Sequence, residues 1–185
     1  PELEQTVRVN DPHADLHDVR ARLRLGEDGV DWQIAGDIAD LRLAAGNGLP
    51  GVEGIGARVR AVPAHIQIDL QSARSSIEFP DLFRNALPVA RLEGRLDWLP
   101  GQDGRWELVS DHLALDTPDI RSRSRVRVVA QPDAPLFLDL QTNFRDGDAQ
   151  RVGAYLPVGI MRPELVQWLD RGVVAGWITS GTAIF

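Results

Sequence analysis

The chain has 185 residues, and 43% of them are hydrophobic and 25% charged, which is typical of one soluble folded domain. Its formal net charge of −7 argues against general binding to nucleic acids or anionic membranes, because both carry negative charge. The sequence contains no cysteine, which excludes disulfides, thiolate nucleophiles and cysteine metal sites.

Alternation of apolar and polar residues recurs along the chain and predicts β-strands. The alternating segments are 18–25, 64–70, 90–98, 120–128 and 136–140. Turn-forming sequences lie between the strands, among them Glu27-Asp28-Gly29 and Gly46-Asn47-Gly48, and their spacing fits hairpins. A parallel sheet would need crossover helices, and the first 145 residues offer only a short helical turn at 81–86. We therefore predict a mainly β fold, an antiparallel sheet with one apolar face.

A weak internal repeat favours a sheet built from similar hairpins. Residues 32–37 and 106–111 both begin with Trp and end with Asp, and both follow a turn that contains Gly. Repeated hairpin units extend a sheet along one axis.

The pattern changes from strand to helix after Asn143. Asp146 is the predicted N-cap of a first helix, which Pro157 ends, and Pro163 lies in the first turn of a second helix. The apolar stripes of the two helices are Val152, Tyr155 and Leu156, and Leu165, Trp168 and Leu169. We therefore divide the chain into a sheet over 1–145, a short helical pair over 146–172, and a strand that starts at 173 and runs to 185.

The histidines do not form a recognisable metal or catalytic motif. His13 and His17 are four residues apart beside acidic residues, and on a helix they could share a metal ion. The stretch is short, follows Pro12 and lacks the glutamate of the zincin motif, so a surface loop is the better interpretation. His65 and His112 fall on the polar side of predicted strands, where we expect them to be solvated.

Two other patterns have ordinary structural interpretations. Gly51, Gly54 and Gly56 suggest a phosphate loop only superficially, and glycines at strand bends explain them better. Asn143, Asp146 and Asp148 lack the downstream glutamate of a calcium loop, and a helix cap is the better interpretation. We predict no catalytic residues, no metal and no cofactor, and that the chain is not an enzyme. A pocket that brought acidic residues to His65 or His112 would argue against that prediction.

Four alternating arginines from Arg121 to Arg127 are the densest charged feature. A solvated sheet face with Glu or Asp on the neighbouring strands explains them best, and contact with anionic head groups or a partner is the alternative. The apolar stripes also have two explanations. They could form the dry core between two sheets of a sandwich, or line an open groove.

The C-terminal region carries a more specific pattern. It reads Tyr155-Leu156-Pro157, then Trp168-Leu169 in the second helix, then Gly172-Val-Val-Ala-Gly176 before a Ser-Gly-Thr strand. This pattern resembles the AsmA-like envelope proteins of Gram-negative bacteria, in particular the YhdP family. The Trp32 and Trp106 strands are also similar to that family.

The resemblance implies an elongated, curved β-sheet whose hydrophobic groove carries phospholipid through the periplasm. Members are anchored by an N-terminal inner-membrane helix, so we expect an internal segment whose anchor lies outside these 185 residues. The implied partners are phospholipid, the remaining repeats of the same chain and other envelope proteins, with no nucleic acid. The family has no catalytic residues to transfer.

The hypothesis is therefore a segment of a lipid-transfer bridge that supports the supply of lipid to the outer membrane. The candidate groove residues are Leu23, Leu25, Ile66, Ile68, Leu70, Leu92, Leu96, Trp98, Val126, Val128, Leu136 and Leu138. The alternative is a β-sandwich interaction module of the envelope without lipid, which binds a protein through a sheet edge. A closed core between two sheets would favour the alternative, and an open sheet with an exposed apolar face would favour the groove.

Overall fold

The computed structural model describes residues 10–26, 29–46 and 49–184. In these residues nine strands form one antiparallel sheet, and each strand pairs with the next strand in the sequence. The strands are β1 (His13–Gly26), β2 (Gly29–Leu43), β3 (Gly51–Val62), β4 (His65–Glu78), β5 (Leu87–Pro100), β6 (Trp106–Asp116), β7 (Arg121–Ala130), β8 (Phe137–Asp148) and β9 (Trp177–Ile184). The predicted mainly antiparallel β fold is confirmed. The predicted turn residues Glu27, Asp28, Asn47 and Gly48 lie outside the described residues, as do residues 1–9 and Phe185.

Two short helices connect β8 to β9: a 3-10 helix at Ala149–Tyr155, and α1 at Pro163–Gly172 with its proline in the first turn. The predicted helix start at Asp146 is wrong, because β8 continues to Asp148. Asp146 has a φ of 55° within that strand, and Asp148 is the residue that caps the 3-10 helix. Its carboxylate accepts a hydrogen bond of 2.9 Å from the Gln150 N–H. Near the helical turn predicted at 81–86, residues 79–83 form a single turn. The Phe83 N–H donates a 2.9 Å hydrogen bond to the Phe79 carbonyl.

The register gives the sheet one apolar and one polar face, because directly opposed residues of antiparallel strands project to the same side. On the apolar face Leu23 opposes Trp32, and Ile68 opposes both Val59 and Leu96. The intervening residues carry arginine, aspartate and glutamine to the other side. Alternation with period 2 thus separates the two faces over most of the sheet.

Register shifts bend the sheet within the strands. Shifts occur in the pairing of β1 with β2, β2 with β3, β3 with β4, β5 with β6 and β6 with β7. Asp18, Asp40 and Gly54 lie at three of them and have φ values of 51°, 49° and 73°. The left-handed conformation is easiest for glycine, which confirms that Gly54 marks a strand bend. The result is an open, curved sheet.

The polar face is a ladder of ion pairs between neighbouring strands. Arg123 Nη1 lies 2.8 Å from Asp116 Oδ1, and Arg127 Nε lies 2.6 Å from Glu107 Oε1. Arg121 Nη1 lies 3.3 Å from an oxygen of Asp146. The predicted pairing of the arginine run with acidic neighbours is confirmed. These pairs face solvent, where water and salt screen the charges, so each contributes little to stability.

Candidate functional site

A continuous row of apolar residues crosses eight of the nine strands on the apolar face. We call it the central row, and it consists of Ala21, Ile34, Ala61, Ile66, Trp98, Leu108, Val128 and Leu138. Each member opposes the next one directly across a strand pair. With strands about 4.8 Å apart, the row is about 34 Å long. All eight residues keep solvent contact, so the row is an accessible surface.

Eleven of the twelve predicted groove residues lie in strands on this apolar face. Ile66, Trp98, Val128 and Leu138 belong to the central row, and the other seven lie on either side of it along the same strands. Leu136 precedes β8 and is outside the strands. The structure therefore brings the predicted residues together on one surface, and their contact with lipid stays a prediction.

The apolar face differs in exposure between its two long edges. The turn edge carries the connections from β1 to β2, β3 to β4, β5 to β6 and β7 to β8, and the loop edge carries the remaining connections. Near the loop edge, Ile55, Val89 and Leu92 pack together with 5%, 2% and 5% exposure. Near the turn edge, Leu23 and Leu25 are 67% and 85% exposed. The apolar surface is thus closed at the loop edge of β3 and β5, and it is open in β1, where Leu16 near the loop edge is also 63% exposed.

The helices are attached to the loop edge by polar contacts. Arg84 donates to both carboxylate oxygens of Asp170, at 3.1 and 2.7 Å. This pair joins the connection between β4 and β5 to α1. The Gly159 N–H donates to the Leu82 carbonyl at 3.1 Å. A substituent on Gly159 would meet the backbone, because a Cβ at this position would lie 1.7 Å from the Asp81 carbonyl oxygen.

Tyr155 makes a second attachment of the helical segment. Its hydroxyl donates to Asp119 Oδ2 at 2.9 Å and lies 2.7 Å from Thr117 Oγ1. Burial raises the pKa of Tyr155 to about 12, and the neighbouring Asp119 carboxylate acts in the same direction. The Tyr-Leu-Pro element therefore holds the helical segment against the turn between β6 and β7.

Serines interrupt the apolar face toward the loop edge, and two of them, Ser72 and Ser124, form hydrogen bonds within the protein. Ser72 Oγ accepts from the Gly56 N–H at 2.8 Å, and Ser124 Oγ lies 2.9 Å from Thr142 Oγ1. Ser75 and Ser110 each bury a hydroxyl without a hydrogen-bond partner among the described residues. The most continuous apolar surface is consequently the half near the turn edge.

Several members of this surface were absent from the predicted set. Trp32, Ile34 and Leu108 join it through strand pairing, and Leu140 opposes Val126. The internal repeat contained a signal for two of these segments, because it aligns residues 32–37 with 106–111. The other residues join the surface through the register of strand pairing, which the sequence pattern does not reveal.

The histidines occupy separate positions in the sheet. His13 and His17 lie in β1 and are exposed, so the expected surface loop is wrong: the strand starts directly after Pro12. His65 Nε2 lies 2.6 Å from Asp97 Oδ1 on the polar face, where the imidazole is 40% exposed. His112 is exposed at a register shift of β6. Within the described ranges, no group of three or more acidic or histidine residues could hold a metal ion.

Neither a membrane-spanning helix among the described residues nor a curated or solved relative was found, and one protein family matches the sequence. Among the described residues, no helix has the length and apolarity required to span a bilayer. Comparison with curated proteins found no match, and comparison with solved structures found none either. A family model described as "YhdP protein" matches residues 1–185, which is every residue of the sequence. The chain therefore belongs to the YhdP protein family.

Proposed function

We propose that the chain is a segment of a periplasmic lipid-transfer bridge and that its apolar face holds phospholipid acyl chains. The observation that carries the proposal is the central row, an accessible apolar strip about 34 Å long on a sheet face that no second sheet of the described residues covers. Large exposed apolar surfaces on soluble proteins mark binding sites. Membership of the YhdP family supports a role in the cell envelope.

The energetics of the face suit acyl chains. Burial of hydrocarbon contributes about 0.8 kcal/mol per methylene and needs no directional contact. An apolar face can therefore bind an acyl chain over the whole length of the chain, and it needs no catalytic or polar motif to do so. The ionic ladder on the other face remains in water, as an antiparallel sheet allows.

The alternative of a β-sandwich does not match the architecture. A sandwich needs a second sheet to cover the apolar face. The described residues form one nine-stranded sheet, and Leu23, Ile34 and Leu138 keep 67%, 46% and 46% of their surface exposed. The open face therefore favours the groove.

The proposal also places the chain in the cell. We propose a periplasmic segment of an inner-membrane-anchored protein whose anchor lies outside these 185 residues. The partners are phospholipid, further repeats of the same protein and other envelope proteins. Function in outer-membrane lipid supply follows from this placement.

Lipid extraction with native mass spectrometry tests the proposal, using two double variants matched in charge. Ile34→Asp with Leu138→Asp puts two carboxylates on the apolar face, at positions that are each 46% exposed. Gln33→Asp with Gln141→Asp puts two carboxylates on the polar face of the same strands, opposite Arg22 and Arg125.

We expect the wild type to carry phospholipid and the apolar-face variant to lose about tenfold or more of its affinity. A charge against hydrocarbon costs more than the roughly 1.4 kcal/mol that a tenfold change represents. The polar-face variant should keep its lipid. Wild-type protein without lipid, or equal retention by both variants, would contradict the proposal.

A further inference from the structure

Three of the five tryptophans lie on the apolar face beside the turn edge. Trp98 belongs to the central row, opposite Ile66 and Leu108. Trp32 and Trp106 each lie two residues from a member of that row, in the direction of the turn edge. The pairing registers therefore align the three indoles along one edge of the sheet, each half-buried.

An indole aligned in this way suits a boundary between hydrocarbon and polar groups. The ring is large and apolar, whereas its N–H needs a polar partner or water. For this reason tryptophan collects at the level of the head groups in membrane proteins. The row of indoles is thus an observation independent of the exposure of the face.

At the loop edge, the apolar face is closed in β3 and β5. The buried cluster of Ile55, Val89 and Leu92 lies near the loop edge, with exposures of 5% or less. Trp98 lies six positions after Leu92 in β5, and at about 3.3 Å per residue the two are about 20 Å apart along the strand. The tails of one bilayer leaflet fill about 15 Å, which is half of the hydrocarbon core. The apolar face is therefore long enough in the direction of the strands for a tail that lies parallel to them.

We infer that acyl chains lie parallel to the strands, with their methyl ends toward the Ile55–Val89–Leu92 cluster and their polar head groups at the turn edge beside Trp32, Trp98 and Trp106. The inference rests on the proposed function and adds a direction to it. The turn edge is then the open slot along which head groups face water. Tails that run across the strands, along the central row, are the contrary arrangement.

Quenching of tryptophan fluorescence by brominated phosphatidylcholine tests the direction. The other two tryptophans, Trp168 and Trp177, are each 66% exposed and are replaced by phenylalanine, which leaves the three indoles of the turn edge. The protein is loaded with lipid brominated either near the ester end or near the methyl end of its chains. We expect bromine near the ester end to quench about twofold more strongly, because the indoles lie at the head-group level.

A second measurement uses the absence of native cysteine. Leu16→Cys and Leu23→Cys place a fluorophore at the loop and turn ends of β1, at positions 63% and 67% exposed. Bromine near the methyl end should quench the label at position 16 more strongly, and bromine near the ester end the label at position 23.

Equal quenching by the two lipids at every position, or the reversed order, would overturn the inferred direction. The proposed function would still hold in that case, because the protein would have bound the lipid. Protein that binds no brominated lipid in native mass spectra would overturn both. The two failures are therefore distinguishable in one set of samples.

Discussion

Ionisation of Tyr155 measures whether the helical segment is attached to the sheet. Tyr155 is the only tyrosine, so the tyrosinate absorbance of the protein reports this residue alone. We expect a midpoint of about 12 in the folded protein, because burial and the Asp119 carboxylate disfavour the phenolate. The unfolded protein should titrate near 10. The Asp119→Asn variant removes the negative charge, so its midpoint should fall and still exceed 10, since burial is the largest cause.

The same shift predicts how stability depends on pH. The folded state holds the phenolic proton more tightly than the unfolded state. Its contribution is therefore complete below pH 10 and is lost as the pH rises from about 10 to about 12. Tyr155→Phe should lack this loss. At pH 7 the variant should be less stable by about 1–2 kcal/mol, because it loses the hydrogen bonds to Asp119 and Thr117.

Urea unfolding at several pH values, with circular dichroism to confirm the fold, measures both effects. A midpoint near 10 in the folded wild type would refute the reasoning, because it would mean that the hydroxyl is fully hydrated. Unchanged stability of Tyr155→Phe at pH 7 would show that the contacts with Asp119 and Thr117 contribute nothing.

Two further predictions concern the loop edge and the polar face. Gly159→Ala should lower the free energy of unfolding by about 1–3 kcal/mol, because its Cβ would lie 1.7 Å from the Asp81 carbonyl oxygen. Gly172→Ala is the control: apart from its chain neighbours and the backbone of its own helix, no atom of the described residues lies within 4 Å of its Cβ, and urea unfolding should show equal or greater stability. Hydrogen bonding to Arg127 lowers the pKa of Glu107, so this pair stabilises the fold above the ordinary glutamate pKa and loses its contribution as the pH falls through the folded value. As the pH is lowered, the urea midpoint should therefore fall less steeply in Glu107→Gln than in the wild type. Parallel curves of urea midpoint against pH would contradict this.

The shared apolar face was predictable because it depends on alternation alone. Ile66, Ile68 and Leu70 must project to one side of any regular strand, whatever the neighbouring strand is. Their pairing with Trp98 and Leu96 was not predictable, since register depends on turn geometry and on shifts at residues such as Gly54.

The end of the sheet was misplaced for a local reason. Asp146 and Asp148 are both acceptable helix caps by residue type. Asp146 adopts a φ of 55° inside β8, and the strand then continues for two residues to Asp148. Aspartate is favourable both as a helix cap and at a left-handed bend, so its presence in the sequence does not distinguish the two. The curvature of the sheet was likewise not predictable from the residues, because side-chain alternation does not encode it.

The strand order has a consequence for how the protein acquires its structure. Every strand pairs only with its neighbours in sequence, from β1 through β9. Each new hairpin can therefore add to the sheet as soon as it is available, and no early strand waits for a distant partner. Short loop closure keeps the entropic cost of each addition low. This topology allows the sheet to assemble progressively from one end, with the apolar face extended by one strand at a time.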